Sequence, residues 1–499
     1  MKFLLVILMG FSLLSGQNLQ RVGEIRLPKG AGEIIAVDGK RKVLVTTRHG
    51  WSARGVEFVD LSNLNEPNLL GHLSFKNVIP SGIEGVSSVA VDPLLRGFGA
   101  AAVIPKNPTR RHGVVVFFSL ENRSILGVVA SGYHPDCVAF SPDGRFLTAA
   151  CEGEHREEKE NTPGSISMYE IPRNLDFKKI RSFDIPLITK KGVRLLKDHP
   201  HDIEPEYITI QRDRAYVTLQ ENNALGIFNL LQRRWVDVRP LGSWTVRMDV
   251  SDRDGPWGKR KAQVNSRIDA LPMPDTISSF KWQGNTYLVT ANEGDKEGFV
   301  RVKHLGKKSP KLDPDYRERL KKQYGIDPQH DSALGRLQVS SIDGDLDGDG
   351  DLDRLTALGT RSFSIWDASS GRRVYDSGSF FADFAKSDQG TFNVNNGRVT
   401  EWDTRSDNRG AEPEALHTAI VGGKPLLLVA TERQNGVYLF DCSLPKKPRL
   451  LSARNEMREG HFSPESALIL PAKKSPNGKA LGFISWEGSN IVTFYELAR

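Results

Sequence analysis

In "HPDCVAFSPDGRFLTAACEGE", residues 134–154, Asp136 opens one apolar run and Glu152 closes the next. The Ser-Pro-Asp-Gly turn between the runs makes them an antiparallel hairpin, so the two carboxylates meet at its open end. The arrangement recurs along the chain. Asp136, Glu206, Asp275, Glu414 and Glu465 each follow a proline at the start of a strand, and Glu152, Glu221, Glu293, Glu432 and Glu487 stand where the return strand ends. Carboxylates this close repel one another unless they are protonated, paired or bound to a cation. A ring of hard oxygen donors suits Ca²⁺ or Mg²⁺. Adding histidine admits iron, manganese or zinc, and His49, His134 and His201 lie near strand ends, with Arg433 beside Glu432. The plainer alternative is that these acids begin strands and face water or backbone N–H groups.

A second acidic stretch is "DGDLDGDGDLD", residues 343–353. Asp345, Asp347 and Asp349 followed by Gly350 match the start of a calcium loop, in which alternate residues place oxygens around one ion. Asp351 and Asp353 offer further oxygens, and a loop registered from Asp343 is an alternative. Thr356 stands where a helix–loop–helix calcium site has its bidentate Glu, and the flanking "GRLQVSS" and "DRLTALG" predict a hairpin. Calcium binding is expected here, with a structural role. No G-x-S-x-G, H-E-x-x-H or phosphate-cradling glycine loop is present. An enzyme built on this chain would therefore be metal-dependent. In such an enzyme at the acidic cluster, His134 or His201 would be the proton donor and Arg433 or Arg48 would clamp an oxyanion.

These acids need a scaffold that brings distant hairpins together. Pro135, Pro205 and Pro274 are 70 and 69 residues apart, and each begins a unit of two apolar strands, an acid and two further strands. Repeats of four short strands predict a β-propeller, whose innermost strands line a central channel. Units starting near 33, 84, 136, 206, 275, 414 and 465 make an all-β, seven-bladed ring. Eight blades result if residues 336–380 form their own unit. The long gap before Pro413 is assigned to an acidic insertion in the fifth blade, residues 294–360, after which "SFSIWD" and "RRVYDSG" supply the outer strands. The last unit lacks a fourth strand, and "RVGEIRLP" near the N-terminus can close the ring. The propeller domain is thus expected over residues 21–497.

The 499 residues include 26% charged and 38% hydrophobic, with a formal net charge of +7, which describes a soluble globular chain. Basic runs such as "KHLGKKSPK" and "RERLKKQ" read as solvated faces, and no nucleic-acid motif accompanies them. The N-terminal "MKFLLVILMGFSLLSGQ" reads as a signal peptide over residues 1–16. Gln17 replaces a lipidated cysteine, and no further hydrophobic span or C-terminal anchor is expected. A secreted or periplasmic monomer follows. Three cysteines, Cys137, Cys151 and Cys442, make no disulfide framework. Cys137 and Cys151 are either a cross-strand disulfide or buried thiols.

"HPDCVAFSPDGRFLTAACEGE", "EPEYITI", "MPDTISSF", "DGDLDGDGDLDRLTALGTRSFSIWD", "DTRSDNRGAEPEAL" and "SPESALILPAKKSPNGKALGF" together resemble the choice-of-anchor I domain family over about residues 30–497. That family includes mesenchyme-specific cell surface glycoproteins and domains of atypical bacterial alkaline phosphatases. The resemblance implies an exported propeller with calcium-associated biology. Three functions are compared. The first is a calcium-binding cell-surface or extracellular scaffold. The second is a metal-dependent phosphomonoesterase, with iron, manganese or magnesium as the second metal and phosphate esters as substrates. The third is a sugar- or peptide-binding module using Trp51, Trp402 and Trp486 as stacking surfaces.

Overall fold

Strands such as Phe146–Cys151 and Leu481–Trp486 are buried at every position. Continuous apolar runs of this kind belong to strands covered on both faces, which is the situation inside stacked sheets. The computed structural model describes residues 19–49, 54–153, 162–195, 203–307, 309–395 and 397–497. The predicted signal peptide, Trp51, Glu154 and His201 lie outside the described residues. Seven four-stranded antiparallel sheets form the blades. Their first strands run Ala31–Asp38, Ile83–Val91, Pro135–Phe140, Ile208–Gln211, Ile277–Trp282, Pro413–Val421 and Pro464–Leu470.

The core is a closed circle of layers between neighbouring blades. Phe58 with Phe118 joins blades one and two, and Phe117 with Tyr169 joins two and three. Ile166 with Phe228, Ile227 with Leu288, and Phe363 with Phe440 carry the circle to blade six. Leu439 with Ile484, and Phe483 with Leu44, complete it through blade seven back to blade one. Each fully buried side chain of this size stabilises the fold by about 1.5–3 kcal/mol. The ring closes where the N-terminal strand Leu19–Arg26 pairs antiparallel with Ile491–Leu497, from Leu19 opposite Leu497 to Arg26 opposite Ile491.

The fifth blade takes its third and fourth strands, Ser362–Asp367 and Arg373–Asp376, from beyond the long insertion. Residues 336–380 therefore do not make an eighth blade. The eighth sheet has five strands and joins two segments. Trp244–Met248 and Ser266–Leu271 precede blade five, while Phe299–Arg301, Gln338–Ser340 and Thr356–Leu358 come from the insertion. It lies outside the ring, because the first strands of blades four and five touch directly. The two predicted hairpin strands do pair antiparallel, at Val339 opposite Ala357. A helix, Pro314–Tyr324, carries the basic run on its solvated face and buries Leu320. Its start is capped by Asp313 and its end by Gly325 in the left-handed conformation at φ 73°.

The cysteines are free thiols. Cys151 is opposite Pro135 and Cys137 opposite Ala150, so the two point to opposite faces of the sheet and enter different core layers. No helix among the described residues is long and apolar enough to cross a membrane.

Candidate metal centre

A common local distortion aims the acids into the channel mouth. Pro135 pairs with Cys151 and Cys137 with Ala150, leaving Asp136 as the extra residue of a β-bulge. Glu465 is the extra residue between Pro464 and Ser466, and Glu414 falls in the bulge between Pro413 and Leu416. A bulge bends the strand and redirects one side chain. Two residues before Asp136, Asp275, Glu414 and Glu465 the backbone turns left-handed, at His134 (φ 46°), Met273 (φ 45°), Glu412 (φ 52°) and Ser463 (φ 54°). Non-glycine residues in this region cost of order 1–3 kcal/mol each and concentrate at functional sites. The end-of-strand acid docks on the same turn. Glu152 N donates to His134 O at 3.0 Å, and Glu432 N donates to Glu412 O at 2.8 Å.

This repeat brings acids together by one rule: the start acid of a blade, its end acid, and the start acid of the next blade. Asp136, Glu152 and Glu206 form one such triad and Asp275, Glu293 and Glu414 another, each offering ligand oxygens within 4.8 Å of one another. Burial, reinforced by the Glu152 charge, holds the Asp136 and Glu206 carboxyls well above the ordinary carboxylate range. Burial and Glu293 do the same to Glu414, and burial pushes Asp275 up to about 7 against the pull of the Thr276 hydroxyl. Glu414 is 8% exposed and its Oε2 is buried with no hydrogen-bond partner. Glu221 Oε2 is likewise buried and unpartnered, beside Asp295. Orphaned carboxylate oxygens in an all-oxygen donor set fit a hard divalent cation.

The other predicted residues divide. His134 Nδ1 lies 2.8 Å from Glu152 Oε2, at the first triad. Glu465 is held well up by burial and Glu33, whereas Glu487 is exposed at the rim and His49 contacts Glu33. Glu432, pushed up to about 8 by burial and Glu412, pairs with Arg433 at 2.8 Å. The expected oxyanion clamps are already engaged: Arg433 by Glu412 and Glu432, and Arg48 by Glu57 at 2.5 Å. Trp486 is fully buried and donates from Nε1 to Thr493, so it is a packing residue and not a stacking surface; Trp402 is half-buried. The segment 403–412 escaped the sequence reading, which took only Glu414 from "DTRSDNRGAEPEAL". Arg409 in it bonds Glu293 at 2.5 Å and Glu412 at 3.1 Å. Burial alone would raise the Glu412 carboxyl, but Arg433 and Arg409 draw it below the usual range. The alternation of acids and arginines was the available signal.

In the acidic loop Asp345, Asp347 and Asp353 converge. Asp345 accepts from Gly348 N at 2.7 Å and Gly350 N at 3.0 Å, and Asp353 accepts from Leu346 N at 2.6 Å. Gly344, Gly348 and Gly350 supply the positive φ this winding needs. The register differs from the expected one. Asp349 turns back to cap Asp351 N, Asp351 is drawn upward by burial and then by the neighbouring Asp349 charge, and Asp343 pairs with Arg194 at 2.9 Å. A further group, Glu456, Glu459 and His461, is neutralised by Arg21 and Arg454.

The choice-of-anchor I domain profile matches residues 33–445, and the chain belongs to that family. Gigasin-3a of Magallana gigas is 28% identical over 197 residues, which cover 34% of this chain and 66% of that protein, just under two thirds of its length. Two solved structures are similar at low identity. The Kuenenia stuttgartiensis hydrazine synthase has a TM-score of 0.47 and 11% identity, over 95% of this chain and 97% of that one. The Cps50 (Swd1) β-propeller domain of Myceliophteria thermophila has a TM-score of 0.46 and 9% identity, over 96% and 99%.

Proposed function

We propose that this chain is an exported propeller that holds divalent cations, calcium foremost, on its channel-mouth triads and in loop 343–353. It then acts as a rigid scaffold or binding protein at the cell surface or outside the cell. The observation that carries this reading is the repeated triad. The same three repeat positions converge twice, and the second set includes the buried, unpartnered Glu414 Oε2. Bound cations would offset the burial and mutual repulsion that hold Asp136, Glu206 and Glu414 above the ordinary carboxylate range, and so stiffen the mouth.

Elemental mass spectrometry on the mature protein, loaded with calcium and then dialysed, tests this. The expected result is one ion per triad and one for the loop, with the triad ions lost in a Glu206→Gln/Glu414→Gln double variant. A wild-type chain that retains no divalent ion would overturn the reading. A metal-dependent phosphomonoesterase is the second reading, favoured by His134 lying against Glu152 within a triad. Under it, hydrolysis of p-nitrophenyl phosphate appears with calcium, iron, manganese or magnesium and vanishes in the same double variant. A scaffold turns over none of it.

A further inference from the structure

The connection between Trp244–Met248 and Ser266–Leu271 contains "DRDGPWGKRK", residues 252–261. Trp257 stands at its tip, 97% exposed and in the left-handed conformation at φ 63°. The next most exposed large hydrophobic residue among those described, Leu444, stands at 68%. Both features of Trp257 work against folding. An indole left in water gains nothing from burial, and a bulky side chain at positive φ is strained. The turn is held all the same: Gly255 N donates to Lys259 O at 2.8 Å, and Lys259 N donates to Pro256 O at 3.2 Å. A residue that the fold disfavours twice, on a turn that is fixed, points to a role outside the fold.

The loop also sorts its charges. Asp252 pairs with Arg336 at 2.7 Å, and Asp254 accepts from Gln263 Nε2 at 2.8 Å and buries its other oxygen. Its acids are thus engaged by the body of the protein. Its cations are not. Arg253, Lys259, Arg260 and Lys261 enter no ion pair among the described residues. Arg253, Lys259 and Lys261 are exposed, and Arg260 donates to Thr400 O at 2.8 Å. A sugar or peptide site needs walls around an aromatic platform, and a ring this exposed has none. A bilayer interface needs no walls. It surrounds an indole with headgroups, and an anionic leaflet attracts cations close to its surface. Apolar insertion and charge attraction add in such binding.

We propose that the Trp257 tip is a peripheral docking point for an anionic lipid surface, with the indole entering the headgroup region and Arg253, Lys259, Arg260 and Lys261 facing the lipid charge. The proposal does not depend on cations at the channel mouth.

Co-sedimentation of the full chain with vesicles tests it, in EDTA so that no bridging calcium contributes. The chain should bind vesicles of equal parts phosphatidylcholine and phosphatidylglycerol, and bind pure phosphatidylcholine far less. Affinity for the mixed vesicles should fall about tenfold in Trp257→Asn and about fivefold for each cation removed in Lys259→Gln and Lys261→Gln. Asparagine accepts a positive φ, so Trp257→Asn should melt no lower than wild type, which separates lost docking from lost folding. If that variant does not fold, the Lys259→Gln/Lys261→Gln double variant decides, and its binding like wild type rejects the site. Equal binding to both vesicle types, or Trp257→Asn binding like wild type, overturns the proposal. So does binding to soluble heparin without binding to vesicles, which would identify an anionic glycan as the partner.

Discussion

At the scale of single residues, burial decides which acids keep their charge. The channel acids are one instance, and a separate group makes the pH consequence testable. Asp249, Asp254 and Asp403 meet where the segment before blade five touches the segment before blade six. Burial pushes them up to about 7, about 6 and about 9, with Asp254 adding to the rise at Asp249, and Asp249 and Asp254 to that at Asp403. Asp403 accepts from Lys261 N at 3.0 Å and from the Ser406 hydroxyl at 2.5 Å. Because these folded-state values lie above those of the unfolded chain, the folded protein binds more protons over the interval between them. The stability these groups add is therefore full below the ordinary carboxylate range and is lost as pH rises from there through about 6, 7 and 9. Asp403→Asn should flatten that fall and leave the variant more stable than wild type at pH 9 by roughly 1 kcal/mol or more. Chemical denaturation across pH measures this, and parallel pH profiles for the two proteins would sink the assignment.

At the scale of elements, one arginine fastens the acidic insertion to the ring. Arg194 donates from Nη1 to Glu221 O at 2.8 Å, from Nη2 to Glu297 O at 2.7 Å, and from Nε to Asp343 Oδ2 at 2.9 Å. These partners belong to the mouth of blade four, the start of the insertion and the acidic loop. Their only covalent connection runs through long stretches of chain, so the clamp substitutes for local sequence contacts. Arg194→Gln leaves Asp343 without its ion pair and should destabilise the protein by roughly 3 kcal/mol. Amide hydrogen exchange should quicken over residues 338–358 and stay unchanged in blades one and two. Uniform exchange across all blades would show that the clamp is not local. Leu312, Leu352 and Leu355 pack under the loop, so the insertion retains its own small core.

At the scale of the molecule, stability depends on closure. Every blade interface in the circle needs both neighbours, and the first and last blades, which already touch through Leu44 and Phe483, are fastened further where Leu19–Arg26 completes the seventh sheet. Arg21 adds a charged latch on Glu456, whose carboxylate also accepts from the Tyr495 hydroxyl at 3.0 Å. Burial alone would raise that carboxyl, but His461 and Arg454 lower it to about 2. Removing residues 19–26 exposes the edge of Ile491–Leu497, a template for pairing with another chain. Light scattering after size exclusion should then find assemblies larger than those of the wild type, together with a lowered melting temperature. An unchanged size and melting temperature would deny the strand its closing role.

The seven blades, the fifth-blade insertion and the closing strand were legible in the sequence because each rests on a local signal. Strand alternation and turn residues mark every unit, and a Pro-acid step opens the units at Pro135, Pro205, Pro274, Pro413 and Pro464. The acids of the mouth were legible for the same reason. Which of them share a site was not. A triad takes its third member from the next blade, and bulges at Asp136, Glu414 and Glu465 set where each side chain points. The sheet built from residues 244–271 and the insertion was also hidden, since its joining pair, Asp269 beside Thr356, is parallel and far apart in the chain. So were the neutralised state of Arg433 and the clamp on Asp343. Periodicity records how a strand faces its own sheet. Charge pairing between segments a hundred residues apart depends on how the closed ring places them, and only the tertiary structure carries that.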